Sequence, residues 1–243
     1  MKGFKPIVII LFLISGVTCQ KLQGQAAIVA MLFGDQVASE EFNLGFELGM
    51  NWSDYSNIEG VRGKHAIRIG MSGNIKLSES FYLSPAIYFL SQRSFHFKNL
   101  SLDTGNPLFD NEFQNTGGRG QLRYVDLPVM TWFALDKWRI GLGPQVSFLT
   151  SSNLTFEGPE GNFERDIEEN TNAIDYGIMT GLSYELGKAR KGKGIFLQLR
   201  YYQGFSDIFE DSLLAPENKQ HFFAVHVSLP FITEELAQKN LEQ

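Results

Sequence analysis

Cysteine occurs once in the 243 residues, at Cys19, which excludes an internal disulfide and any zinc site built from paired thiolates. Long apolar runs are almost as scarce. The main one, Ile7 to Ile14, falls well short of the about 20 residues a spanning helix needs, so the chain cannot be a bundle of membrane helices. An excess of positive charge is missing too. Lys and Arg number 21 against 27 Asp and Glu, for a net charge of −6. No basic stripe tracks a phosphate backbone, and nucleic acid is not an expected partner. The four histidines, His65, His96, His221 and His226, are scattered without metal-ligand spacing, and no metal or cofactor is expected.

What is abundant is glycine (24) and phenylalanine (21). The N-terminus reads as an export signal over residues 1–25. Lys2 and Lys5 precede the apolar run and small residues follow it, with cleavage between 19 and 26. Cys19 is read as discarded with the signal, because Gly16-Val17-Thr18 before it makes a poor lipidation motif. Residues 26–40, Ala-rich at their start, read either as a short helix at the periplasmic mouth or as the tail of a long export segment. Residues 232–243 form a polar, helix-prone tail.

Between these ends, residues 41–231 alternate with a period of two. In EEFNLGFELGMNWSDY, Phe42, Leu44, Phe46, Leu48, Met50 and Trp52 face one way, and Asn43, Gly45, Glu47, Gly49 and Asn51 the other. The pattern recurs through seven more segments. Among them, Ile67, Ile69 and Met71 oppose Arg68, Gly70 and Ser72; Phe81, Leu83, Ile87, Phe89, Phe95 and Phe97 share one side; and Ile140 and Leu142 oppose Arg139, Gly141 and Gly143. A soluble sheet facing water carries Lys, Glu and Thr on its polar side. Here that side is mostly Gly, Ser, Asn and Gln with single charges, which suits a narrow lumen. The strands, about 11–17 residues long, exceed the usual mode of about 5–6 and suffice for a tilted bilayer crossing, which needs about 9–11. Short links at Ser78-Glu79-Ser80, Leu135-Asp136-Lys137 and 187–194 alternate with long ones at 54–64, 99–120, 151–172 and 206–220. The expected fold is therefore all-β, an eight-stranded antiparallel transmembrane β-barrel with short periplasmic turns and long outer loops. Its expected location is a bacterial outer membrane, as a monomeric barrel in contact with lipid. Pro85, Pro128 and Pro144 fall within strands and predict bulges or local irregularity there.

Lipid-facing aromatics predict two girdles: Phe81, Phe133, Trp138 and Phe231 near the short turns, and Trp52, Phe95, Phe148, Tyr201 and Phe223 near the long loops. The inward charges, Glu47, Arg68, Asp126, Arg139, Asp175, Glu185 and Arg200, predict a salt-bridged network, because a buried charge is costly unless paired. Glu47 and Arg68 are expected to be diagonal neighbours. EGPEGNFERDIEEN matches no calcium-loop spacing and reads as a solvated acidic loop; GKARKGKG reads as a solvated basic turn on the periplasmic side. His65, Ser91 and Arg93 are placed together on the lipid face. No carboxylate there can orient the histidine, so no catalytic residue is assigned.

The stretch YVDLPVMTWF followed by WRIGLGPQVSFLTSS resembles the PorT-type outer-membrane β-barrel family of Bacteroidetes-like bacteria. It carries that family's Tyr-X-acid-X-Pro strand as Tyr124, Asp126 and Pro128, and its Gly-Pro hairpin strand as Gly143-Pro144. DYGIMTGLSYELG and LRYYQGFSDI are similar to it as well. The resemblance implies no shared catalytic set. It does imply a part in protein secretion, the process with which the family's named member is associated. Residues and resemblance together predict a non-enzymatic barrel, structural or accessory to secretion or envelope assembly, that contacts partner proteins through loops or periplasmic parts. A narrow channel for small polar or amphipathic solutes is the alternative.

Overall fold

The computed structural model describes residues 42–58, 60–98, 116–158, 161–187, 194–210 and 217–231, with Pro107 and Asn111 besides. The segments expected to be signal, N-terminal helix and polar tail lie outside the described residues, as does most of the basic turn. Antiparallel strands run as β1 Phe42–Tyr55, β2 Val61–Lys76, β3 Phe81–Lys98, β4 Gly117–Leu135, β5 Trp138–Gly158, β6 Gly161–Asp166, β7 Ile174–Gly187, β8 Ile195–Asp207 and β9 Lys219–Pro230. Each pairs with its sequence neighbour, except that β6 folds back only on the overhanging end of β5, and β7 returns to the lower part of β5. β1 pairs with β9 from Gly45↔Pro230 to Tyr55↔Gln220 and closes the ring. The result is the eight-stranded barrel that the alternation implies. Closure leaves no ring strand with a free edge, the condition for placing backbone N–H and C=O groups in hydrocarbon.

The lipid face follows the pattern. Leu48, Met50, Ile67, Ile140, Leu142, Leu182, Leu197 and Leu199 are exposed on the outside. At the short-turn end Phe81 and Phe133 lie 5.1 Å apart, and Trp138 and Tyr184 4.6 Å apart, while Phe231 packs partly buried beside Phe42 and Leu44. At the opposite end Trp52, Phe223 and Tyr201 fall on one register row across β1, β9 and β8, and Phe148 stays on the outer side opposite Val125.

Phe95 does not belong to that girdle. A register shift in β3 between Tyr88 and Ser91 inserts one residue and reverses the sense of the alternation beyond it. Ser91, Arg93, Phe95 and Phe97 therefore turn inward and are buried, whereas His65 remains exposed on the outside opposite Trp52. The supposed cluster of His65, Ser91 and Arg93 on the lipid face is thus divided by the wall. A second shift, between Arg123 and Tyr124 against Ser151 and Leu149, does the same to β5 and buries Ser152, Leu154 and Phe156. The prolines do not mark the shifts: Pro85 keeps Val129 as partner, Pro128 keeps Gln145 and Pro144 keeps Ile178.

The outer ends also run on further than expected. β5 is 21 residues long and β4 19, and the first outer link is reduced to 56–60. Within the third outer loop, β6 makes a hairpin on β5, followed by a 3-10 turn at Glu168–Asn170. Its carboxylates Glu164, Asp166, Glu168 and Glu169 are exposed while Ile167 is buried.

Candidate functional site

The inward glycines explain how so narrow a cylinder holds large side chains. A Cβ on Gly141 or Gly181 would run into the Trp132 indole, and one on Gly120 into the Phe95 ring. Each ring covers the bare backbone of glycines on other strands, the pairing of glycine with an aromatic cover that curved sheets use. With eight strands the interior is just wide enough for side chains to fill. Here they fill it in layers.

The charged layer balances: Arg68, Arg93 and Arg200 face Glu47, Asp126 and Asp175, all of them buried. Arg93 is its hub. Its Nη2 donates to Asp126 Oδ1 at 2.8 Å and Ser147 Oγ at 2.9 Å; its Nη1 donates to Gln220 Oε1 at 2.7 Å and Asp175 Oδ2 at 3.2 Å. One guanidinium on β3 thereby reaches β4, β5, β7 and β9. Asp126 Oδ2 also accepts from Arg68 Nη2 at 2.7 Å and Ser91 Oγ at 2.5 Å. Asp175 accepts further bonds from Tyr202 OH at 3.0 Å and Ser206 Oγ at 2.8 Å. The Arg68 guanidinium carbon sits 4.2 Å from the Tyr88 ring centre and 4.8 Å from that of Phe222, a favourable placement for a cation.

Nearer the short turns, Arg200 Nη2 donates to both oxygens of Glu47 at 3.1 and 3.0 Å, and Nη1 donates to Tyr88 OH at 2.5 Å. Tyr88 OH in turn donates to Glu47 Oε2. β8, β3 and β1 are thus tied through the interior. Glu47 and Arg68 are diagonal on β1 and β2, with Glu47↔Gly70 beside Gly49↔Arg68, yet each finds its ionic partner on another strand.

Arg139 and Glu185 stand apart from this network. They line a periplasmic mouth of about 490 Å³, and Arg139 is held 4.3 and 4.1 Å from the ring centres of Tyr82 and Phe196. The motif residues sort by role. Tyr124 supports Arg93, whose guanidinium carbon lies 4.0 Å from its ring centre. Asp126 is the acceptor at the centre, and Pro128 is buried on the same inward side. Gly143 faces inward where a Cβ would meet the Val129 carbonyl, and Pro144 is exposed on the outside.

Above the charges lies an apolar plug. Tyr55, Phe95, Phe97, Leu122, Tyr124, Leu154, Phe156, Ile167, Ile208 and Phe209 are all buried in one cluster. It joins the charged layer directly, since Gln220, which accepts from Arg93, donates to Tyr55 OH at 3.1 Å. A second buried cluster, Met130, Trp132, Met179, Tyr202, Phe222 and Ala224, packs among the charges, with Phe222 beside Arg68 and Arg93 and Tyr202 beside Asp175. Arrays of this kind hold walls together. Ser91, the one serine next to His65 in the expected arrangement, donates to Asp126 inside the barrel while His65 stays outside.

The family described as outer membrane protein beta-barrel domain matches residues 31–210. Among solved structures, Ail, the attachment invasion locus protein of Yersinia pestis, in complex with the heparin analogue sucrose octasulfate, is 11% identical, with 79% of this chain and 99% of that chain covered and a TM-score of 0.42. Neisserial surface protein A is 11% identical, with 79% and 97% covered and a TM-score of 0.41. The N-terminal β-barrel domain of OprF from Pseudomonas aeruginosa is 12% identical, with 77% and 97% covered and a TM-score of 0.34. No curated protein matches the chain.

Proposed function

The chain belongs to the outer membrane protein beta-barrel domain family, and from that premise we propose that it is a sealed, non-enzymatic, single-chain barrel that serves protein secretion or envelope assembly through its outer loops and periplasmic parts. The observation that carries this reading is the filled lumen. A cross-lumen ionic layer packed against two buried hydrophobic clusters holds the interior shut, and a barrel that passes nothing must act through its surfaces. The resemblance of Tyr124-Val125-Asp126-Leu127-Pro128 to PorT-type proteins supplies the process to test, protein secretion. The separation of His65 from Ser91 by the barrel wall supports the non-enzymatic part.

Two measurements test it together. Deletion of the gene is expected to impair protein export or envelope integrity, with partners recovered by cross-linking to the outer loops. The purified barrel in planar bilayers is expected to show no steady ionic current. A deletion strain that secretes normally, paired with a purified protein that conducts, would replace this reading with a channel.

A further inference from the structure

The outward face of the wall changes chemistry abruptly at one height on β2–β5. Ile67, Leu90, Val125 and Phe148 are the last apolar residues on that side. Directly beyond them stand His65, Gln92, Arg123 and Thr150. Above that line β2, β3 and β4 carry Arg62, Lys64, Lys98, Arg119 and Arg123 toward the outside, the register of β2 shifting by one residue against β3 between Lys64 and Arg68. The stretches VRGKH, QRSFHFK and GGRGQLRYV that hold them contain no acidic residue. The register sets Arg62 opposite His96 and His96 opposite Arg119, one lateral row across three strands. Among the described residues none of these five cations is ion-paired.

The face is also concave. Lys64, His65 and Arg119 border a cavity of about 460 Å³ floored by amides and hydroxyls, Gln121, Asn153 and Thr155 among them. Glu164 on β6 borders it too, and Asp166 lies beyond on the same strand. Asp54 on β1 is the exposed carboxylate on the other flank.

We propose that this groove binds the phosphorylated sugar headgroup of an outer-leaflet glycolipid. The orientation selects that source. The cations face sideways, beside the barrel and immediately above the hydrocarbon, where lipid headgroups are the neighbours; a soluble partner arriving from above meets the loops first. Cations complement phosphates, and the amide and hydroxyl floor matches sugar hydroxyls. The row starts at the girdle, because His65 is the direct cross-strand partner of Trp52, so acyl chains can stay in the bilayer while the headgroup lies in the groove.

The test uses the full barrel in a zwitterionic detergent, with native mass spectrometry reading bound lipid. The probes are bis-phosphorylated lipid A, its dephosphorylated form, phosphatidylglycerol, and the phosphorylated disaccharide without acyl chains. Lipid A is expected to bind most tightly, in a salt-sensitive way. Lys64→Gln/Arg119→Gln/Arg123→Gln is expected to weaken it by about fivefold per cation removed, with heat-modifiable gel migration unchanged. Should the triple variant misfold, Arg62→Gln/Lys98→Gln and a salt titration of the unmodified protein give the same readout. Phosphatidylglycerol or the disaccharide binding as tightly as lipid A would overturn the proposal, and so would folded variants that bind lipid A undiminished.

Discussion

Arg93 Nη1 donates to Asp175 Oδ2 over 3.2 Å, joining β3 to β7 through the interior although two strands separate them around the wall. The same guanidinium holds Asp126 at 2.8 Å. The charged layer is therefore a cross-brace as well as a set of neighbour contacts. Bilayer crossing satisfies each strand with the next; the brace adds constraints between strands that the sheet does not join.

Removing one member of such a layer leaves its partners charged and buried, which costs about 3–5 kcal/mol. Arg93→Met is expected to lower the unfolding free energy by about that much in urea titrations of barrel folded into vesicles. Asp175→Asn is expected to lower it less, because the amide oxygen keeps one of the two hydroxyl donors, Tyr202 or Ser206, and the amide NH2 can donate to the other hydroxyl. The double variant is expected to be less destabilised than the sum; strict additivity would show that the two do not act as a pair.

Asp126→Asn strikes both Arg68 and Arg93. It is expected to destabilise more than Glu47→Gln, whose partner Arg200 keeps Tyr88 and Gln198. Paired urea titrations of the two variants give the order directly.

The apolar plug makes a different forecast. Phe95→Ala or Phe209→Ala is expected to cost about 3–5 kcal/mol each, yet neither is expected to open an ionic current while the Arg93 layer stands. Steady conductance from Phe95→Ala would place the seal in the plug alone.

Gly141 tests the aromatic cover. A side chain there meets the Trp132 indole, so Gly141→Val is expected to cost about 1–3 kcal/mol through overpacking. Trp132 fluorescence reports the displaced ring.

On the lipid side, Leu142 is 53% exposed on the outside, between the girdle residue Trp138 and Phe148. Leu142→Arg is expected to cost about 2–4 kcal/mol in vesicle refolding, as at a bilayer midplane. Thr155→Arg, on the polar outer end of the same strand, is expected to be nearly neutral.

The residues announce most of this and conceal two things. Period-two alternation is enough to assign Glu47, Arg68, Asp126, Asp175 and Arg200 to the interior, because in a barrel parity alone decides the side. Arg93 escapes for the same reason: one extra residue beyond Tyr88 flips everything after it, and a count of odd and even positions cannot see an insertion. A signal does exist. Phe89-Leu90 and Phe148-Leu149 are doubled large apolar residues in otherwise alternating strands, and each sits beside a register shift, in β3 and β5. The prolines were the natural suspects, yet a proline removes one donor without adding a residue, and the register passes through all three. Which partner each charge takes was equally hidden, since cross-lumen distances depend on stagger between strands and not on spacing along one.

The seam between β1 and β9 bears on how the molecule is made. The first described strand can complete its bonding only when the last has been synthesised and brought alongside, a contact between opposite ends of the sequence. Assembly must therefore be all-or-none and late, with non-local pairing that is slow to form. A chain cut after β8 would present two raw rims to the bilayer, so premature truncation should leave nothing inserted, not a smaller barrel.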